Sequence, residues 1–316
     1  MTVLRVDPWD PDYGASVETD EDPDRPPPPL DFEEPVIWAA ITRPPPETTP
    51  CCAFIDGIRR VDLRLFAEDG DIIAPALAGS VAVGVAWSSR PPTIDDIRVV
   101  RVLLVGRGMQ TPAVSAIIGS HAVQYPVESV AAASPRDALQ QLQNRMRREE
   151  HSLATAVADR GTADLIVQDG PLTYTGRAPA VGMIKRQTQR YLDSLRQQLL
   201  PSLEINQRTP LFRFESNQLP RYSWYTRVAP RRRIDGSMAG LVRMEVHADV
   251  GLDRARELAD LSAAVLPRFA APLWRESRAP QNLYPVGQLE TVLRNRLGHA
   301  EVIRRGLERS LWGASA

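Results

Sequence analysis

Lysine is nearly absent from this chain: Lys185, in the stretch AVGMIKRQTQRYL (residues 180–192), is the only one among 38 Lys+Arg residues. A guanidinium serves at most sites that need a cation, so arginine codons displace lysine codons across a GC-rich genome. The surviving ammonium is either a remnant of that drift or a site requiring a compact point charge on a flexible stem. With no other lysine, the chain cannot form a Walker A loop, because GxxxxGK[ST] does not fit GMIKRQ. A P-loop ATPase is excluded, and any motor that moves a substrate must be a separate chain.

Cysteine is almost as scarce. Cys51 and Cys52 are adjacent, so they build no disulfide framework, and a reducing cytoplasm is the expected setting. The four histidines, at 121, 151, 247 and 299, show no HExxH, zinc or triad-like grouping, which argues against zinc and serine hydrolase chemistry. The acidic N-terminus has neither the basic nor the apolar part of a signal peptide. The longest uncharged stretch, residues 72–89, contains Pro75, Gly79 and Gly84 and falls short of the ~20 apolar residues of a spanning helix. Buried strands and no membrane association are expected.

The net charge of -1 conceals an uneven distribution. Residues 1–50 hold 12 acidic and 3 basic residues together with twelve prolines, leaving residues 51–316 at about +8. The first segment cannot bury enough apolar surface to offset its chain entropy, so it reads as an acidic, proline-rich disordered arm in which VIWAAI (36–41) docks locally. The basic remainder permits a nucleic-acid partner.

Order is expected from Cys51 onward. CCAFID (51–56) reads as a strand ended by an Asp-Gly turn. RVDLRLFAEDG (60–70), SVAVGVAW (80–87) and IRVVRVLLVG (97–106) follow as strands. Ser134-Pro135 opens a long helix as N-cap and first residue, with Leu139, Leu142, Met146, Leu153 and Val157 at helical spacing to about Ala158. ADLIVQDG (163–170) and VGMIKR (181–186) read as strands, 190–204 as a helix. TPLFRFES, YSWYTRVA and LVRMEVHA read as strands, and helices over roughly 251–270 and 286–311 close the chain. The fold class is α/β, a mixed sheet with flanking helices and a C-terminal helical and strand extension.

Three acidic positions stand out in this layout. Asp56 and Asp169 each end a strand before glycine, and Glu149-Glu150 lies inside the long helix. If the strand at 163–170 pairs parallel beside the first, both aspartates reach one sheet edge, where open α/β sheets put their ligands. Close carboxylates repel unless a cation neutralises them, and Mg²⁺ or Mn²⁺ held by carboxylates is suited to phosphodiester cleavage. Glu149 and Glu150 flank the apolar stripe, Glu150 slightly nearer its centre. Asp-Gly also serves turns, and Glu-Glu also serves a solvated helix face.

FIDG (54–57), the helix glutamate, QDGPL (168–172), VGMIKR (181–186) and NLYPVGQLE (282–290) together resemble the NurA family of DNA-processing nucleases over roughly residues 50–311. The resemblance implies an RNase H-like core over residues 51–316 with second-half insertions, and Mn²⁺ or Mg²⁺-dependent DNA cleavage. It also implies a homodimer docked on a HerA-type hexameric translocase in DNA end resection. It gives Asp56, Glu150 and Asp169 the metal-ligand roles. Many members place a histidine or aspartate shortly after the YP pair. Here Glu290 is the only acid in that stretch, and His299 lies farther on. Lys185 follows the strand after QDGPL and is placed to hold a phosphate or an attacking water. Arg59, Arg60, Arg186 and Arg190 are candidate DNA contacts, Arg231–Arg233 form a loop charge run, and Tyr222, Trp224 and Tyr225 are candidates for base stacking or core. The alternative function is a catalytically inactive RNase H-like scaffold that binds DNA or a translocase. A third reading is a structural factor recruited through the acidic arm.

Overall fold

Three strands, longer than the alternation suggested, form the spine of the sheet. The computed structural model describes residues 2–6, 29–32, 37–172, 180–185, 190–216, 219–272 and 281–313. Short strands β1 (Val3–Val6), β2 (Asp31–Phe32) and β3 (Ile41–Thr42) precede β4 (Cys52–Asp69), β5 (Ile72–Trp87) and β6 (Thr93–Val105). Asp69-Gly70 makes the expected hairpin, with Gly70 at φ 58. Asp56-Gly57 does not turn: β4 runs straight through it, pairing with β5 from Ala53 to Asp69. A turn needs the flanking segments to pair with each other, and the alternating apolar residues after Gly57 find their partner in β5 instead.

A hairpin of β7 (Val114–Ile118) and β8 (His121–Tyr125) and the short β9 (Val127–Ser129) lead to α1 (Pro135–Arg160). Ser134 caps α1 in a reciprocal capping box with Asp137, and Gly161 ends it in the left-handed conformation at φ 64. β10 (Leu165–Asp169) then pairs parallel with β4, placing Gln168 opposite Ile55. β11 (Ala180–Ile184) lies parallel on its other side.

The expected helix over 190–204 is instead one short turn, α2 (Ser194–Gln197), and a 3₁₀ turn at Leu200–Ser202. Pro201 cannot donate to a helix, and Tyr191, Leu192, Leu200 and Leu203 pack on Phe212, Phe214 and Tyr225. Strands β12 (Gln207–Arg208), β13 (Phe212–Ser216), β14 (Leu219–Arg227) and β15 (Leu241–His247) extend the sheet. Its order is β2-β13-β14-β15-β11-β10-β4-β5-β6-β9. Helix α3 (Leu252–Val265) follows. The single helix expected over 286–311 is two, α4 (Tyr284–Leu297) and α5 (Ala300–Gly313), broken at Gly298 with φ 77.

Alternation along β4 sends Phe54 to the face covered by α3 and α4, and Ile55 to the face covered by α1. Leu139, Leu142, Leu153 and Val157 of α1 pack there as their spacing implied. Helix α5 closes a third cluster over the β7–β8 hairpin through Ile303 and Leu307. Parts of the N-terminal arm join the sheet: β1 pairs with β4, β2 with β13 and β3 with β12. Trp38, in the VIWAAI stretch, donates from Nε1 to the Arg196 carbonyl at 3.0 Å, and Arg43 pairs with Asp260. Residues 7–28 and 33–36 of that arm lie outside the described residues. No helix among the described residues is long and apolar enough to cross a membrane.

Because the Ser134 hydroxyl satisfies the Asp137 N–H, Ser134→Ala should lower stability by about 1 kcal/mol, read as a shifted urea midpoint at unchanged slope.

Candidate metal centre

The parallel register of β10 against β4 places Asp169 beside Asp56 on the α4 face of the sheet. Helix α4 brings the third acid. Glu290 lies in its second turn, buried at 6% exposure, and accepts from Arg294 Nη2 at 3.0 Å. Asp56, Asp169 and Glu290 each offer an oxygen, and the three oxygens lie within 4.8 Å of one another. Hard divalent cations take carboxylate oxygens at about 2.0–2.6 Å, so one ion would span this set.

The acids are not neutralised by hydrogen bonding alone. Asp56 Oδ2 is buried without a hydrogen-bond partner. Burial, followed by Asp169 and Glu150, pushes the Asp56 carboxyl well above its ordinary range, and Lys185 offsets part of this. Lys185 immediately follows β11; its Nζ donates to Asp169 Oδ2 at 2.5 Å and to Asn282 Oδ1 at 2.6 Å. The only lysine in the chain therefore bridges the end of β10 and the segment entering α4.

Glu150 approaches from the other side. Asp56 and Gly57 are adjacent in β4 and face opposite ways, and a Cβ at Gly57 would stand 2.7 Å from Glu150 Oε1 and 2.9 Å from Met146 Cγ. The bare Gly57 backbone lets the α1 carboxylate lie against the sheet, where it accepts from the Gly57 N–H and, at 3.3 Å, from Gln168 Nε2. Burial first, and then Asp169, raises its carboxyl to about 8. Glu149 turns away to Arg145, at 3.1 Å. Of the two helix glutamates, Glu150 is the one directed at the cluster, but its oxygens are not in the trio within 4.8 Å.

The other candidates are dispersed. Arg59 Nε donates to Gln143 Oε1 at 2.6 Å on the wall of a cleft of about 570 Å³ that Gly57, Met146 and Arg294 also line. Arg60 is committed elsewhere: Nε to Asp62 at 2.7 Å, Nη1 to the Gly298 carbonyl at 2.6 Å and Nη2 to the Leu297 carbonyl at 3.1 Å. It clamps the end of α4 instead of pointing into solvent. Arg186 lies outside the described residues, and Arg190, Arg231–Arg233 and His299 are exposed. Trp224 bonds Ser262 and Tyr225 stacks on Phe212 at 5.9 Å, so both are core, while Tyr222 is half-buried against the α3 core.

Asn282 carried no assigned role, although NLYPVGQLE contains it. An asparagine eight residues ahead of an acid, across a helix start, is the available signal: the entry into α4 brings Asn282 to Lys185, and its second turn brings Glu290 to Asp169.

A family model described as the NurA domain matches residues 113–292. That span is more than half of the chain and includes Glu150, Asp169, Lys185, Asn282 and Glu290, while Asp56 joins them through the sheet. Among curated proteins, no sequence matches this chain significantly.

In metal-free protein the folded state keeps a proton on Glu150 that the unfolded chain releases near 4.5, so stability falls as pH rises from about 4.5 to about 8. Glu150→Gln removes this penalty. It should melt above the parent at pH 8 in chelator, and the gap should close toward pH 4.5; a gap equal at both pH values contradicts the assignment.

Proposed function

Because the chain belongs to the NurA family of nucleases, which work with HerA and DNA, we propose that it is a divalent-metal-dependent deoxyribonuclease processing DNA ends with a HerA-type hexameric translocase. The observation that carries this reading is the convergence of Asp56, Asp169 and Glu290, with one Asp56 oxygen buried and lacking a hydrogen-bond partner. An all-carboxylate set without histidine or cysteine suits Mn²⁺ or Mg²⁺ over softer metals. When bound, such a cation polarises a phosphodiester and lowers the pKa of water.

The chain's own residues have distinct parts in this proposal. Asp56, Asp169 and Glu290 hold the ion, and Glu150, behind Gly57, adds charge for the same or a second ion. Lys185 fixes Asp169 against Asn282 and presents its ammonium to the scissile phosphate. Arg59 and Arg294 make the adjoining cleft attractive to a phosphate backbone. Residues 51–316 form an RNase H-like nuclease domain, acting as a cytoplasmic homodimer, with the acidic arm appended. A non-catalytic scaffold is the second reading, motivated by the Lys185–Asp169 pair, which neutralises one acid without a metal.

Purified protein should degrade end-labelled DNA with Mn²⁺ and not in chelator. Asp56→Asn and Asp169→Asn should each lose more than about 100-fold, beyond the usual effect of losing an outer partner. Mn²⁺ at about 100 times its Kd should stabilise the parent by about 2.7 kcal/mol. No Mn²⁺-linked stabilisation and no cleavage would establish the scaffold instead.

A further inference from the structure

Beyond the acidic cluster, Arg221 of β14 and Arg243 and Glu245 of β15 are buried charged side chains in one group. The Glu245 carboxylate lies between two guanidiniums, 2.7 Å from Arg243 Nη1 and 3.6 Å from Arg221 Nε. The pair also grips a backbone unit. Glu245 Oε1 accepts from the Leu172 N–H at 2.9 Å, and Arg221 Nη2 donates to the Leu172 carbonyl.

Leu172 is three residues past Asp169. Between them the chain folds back over β11, Gly170 donating its N–H to the Met183 carbonyl at 2.9 Å. The strand beneath leaves room only because residue 182 is glycine; a Cβ there would stand 2.8 Å from the Gly170 carbonyl oxygen and 3.0 Å from Leu172 Cγ. Arg243 also stacks on an aromatic ring, its guanidinium 4.3 Å from the centre of Tyr191, six residues past Lys185. One array thus holds the chain as it leaves β10, whose end carries Asp169, and stands opposite Ile184, the last residue of β11 before Lys185.

Stability alone is a weak reason to keep such an array, since apolar residues of similar volume usually replace buried ion arrays without loss. We propose that Arg221, Glu245 and Arg243 are positioning residues of the metal centre: through Leu172, and through Ile184 opposite Arg243 on β11, they fix where Asp169 and Lys185 point. This inference rests on the metal-dependent reading of that centre. The array acts through the backbone and touches neither the ion nor DNA.

The test uses full-length protein, Mn²⁺ alone as the binding probe and end-labelled DNA for turnover. Glu245→Gln removes the charge at nearly constant shape. The triple variant Arg221→Met, Arg243→Leu, Glu245→Met replaces the array by apolar packing and serves if the single variant does not fold. The folded variant should bind Mn²⁺ 10–100-fold more weakly and lose kcat in proportion, with KM for DNA little changed. A folded variant that binds Mn²⁺ and cuts like the parent overturns the inference and leaves the metal centre standing. A parent with neither Mn²⁺ binding nor cleavage overturns the metal reading, and this inference with it.

Discussion

Parallel pairing of β10 with β4 is the constraint on which the rest of the molecule turns. It aligns two aspartates on neighbouring strands, on the face of the sheet covered by α4. Lys185 offsets part of their repulsion through Asp169, whereas one oxygen of Asp56 has no hydrogen-bond partner. The fold supports this arrangement with two apolar faces. Cores built on Phe54 and on Ile55 hold the strand pair from both sides, so the carboxylates cannot relax apart without exposing apolar surface.

The acids arrive from both faces, and each approach has a device that permits it. On one face Gly57 omits the side chain that would exclude Glu150. On the other, α4 carries Glu290, and its far end is clamped by Arg60 and by Arg101, which also donates to the Leu297 carbonyl at 3.0 Å. Both arginines gather around Asp62, a fully buried carboxylate that accepts from Arg60 and from the Tyr125 hydroxyl at 2.7 Å each. Asp62 falls where β4 slips its register against β5, and such bulges re-aim a side chain beside functional sites. The elements around the acidic cluster are thus tied down at β4, at Leu172 beyond β10, and at the end of α4.

Local signals were readable where local physics decides. Ser134-Pro135 announced α1 because capping is settled within one turn, and the β-branched runs announced β4, β5 and β6. Asp56-Gly57 misled because a dipeptide cannot say which strand its neighbours will pair with. The apolar spacing of 190–204 suited a helix, but those side chains are used by Phe212, Phe214 and Tyr225, far along the chain. Gly298 divides what periodicity joined, its positive φ turning α5 toward the β7–β8 hairpin. In the arm, composition described the acidic and proline-rich character but not the short edge pairings, which depend on open positions on β4, β12 and β13.

At the site, the sequence by itself determined the chemical stock: acids before glycine, a glutamate inside a capped helix, one lysine, and neither zinc spacing nor a Walker loop. Spacing and residue type carry that information, since they fix which atoms are offered. Only the tertiary structure decided which atoms meet. It set Glu290 among Asp56 and Asp169, placed Glu150 behind Gly57, gave Lys185 its two partners, and withdrew Arg60 to the end of α4. Those outcomes follow from strand register and helix packing, which join residues from 16 to 238 positions apart and so lie beyond what local periodicity records.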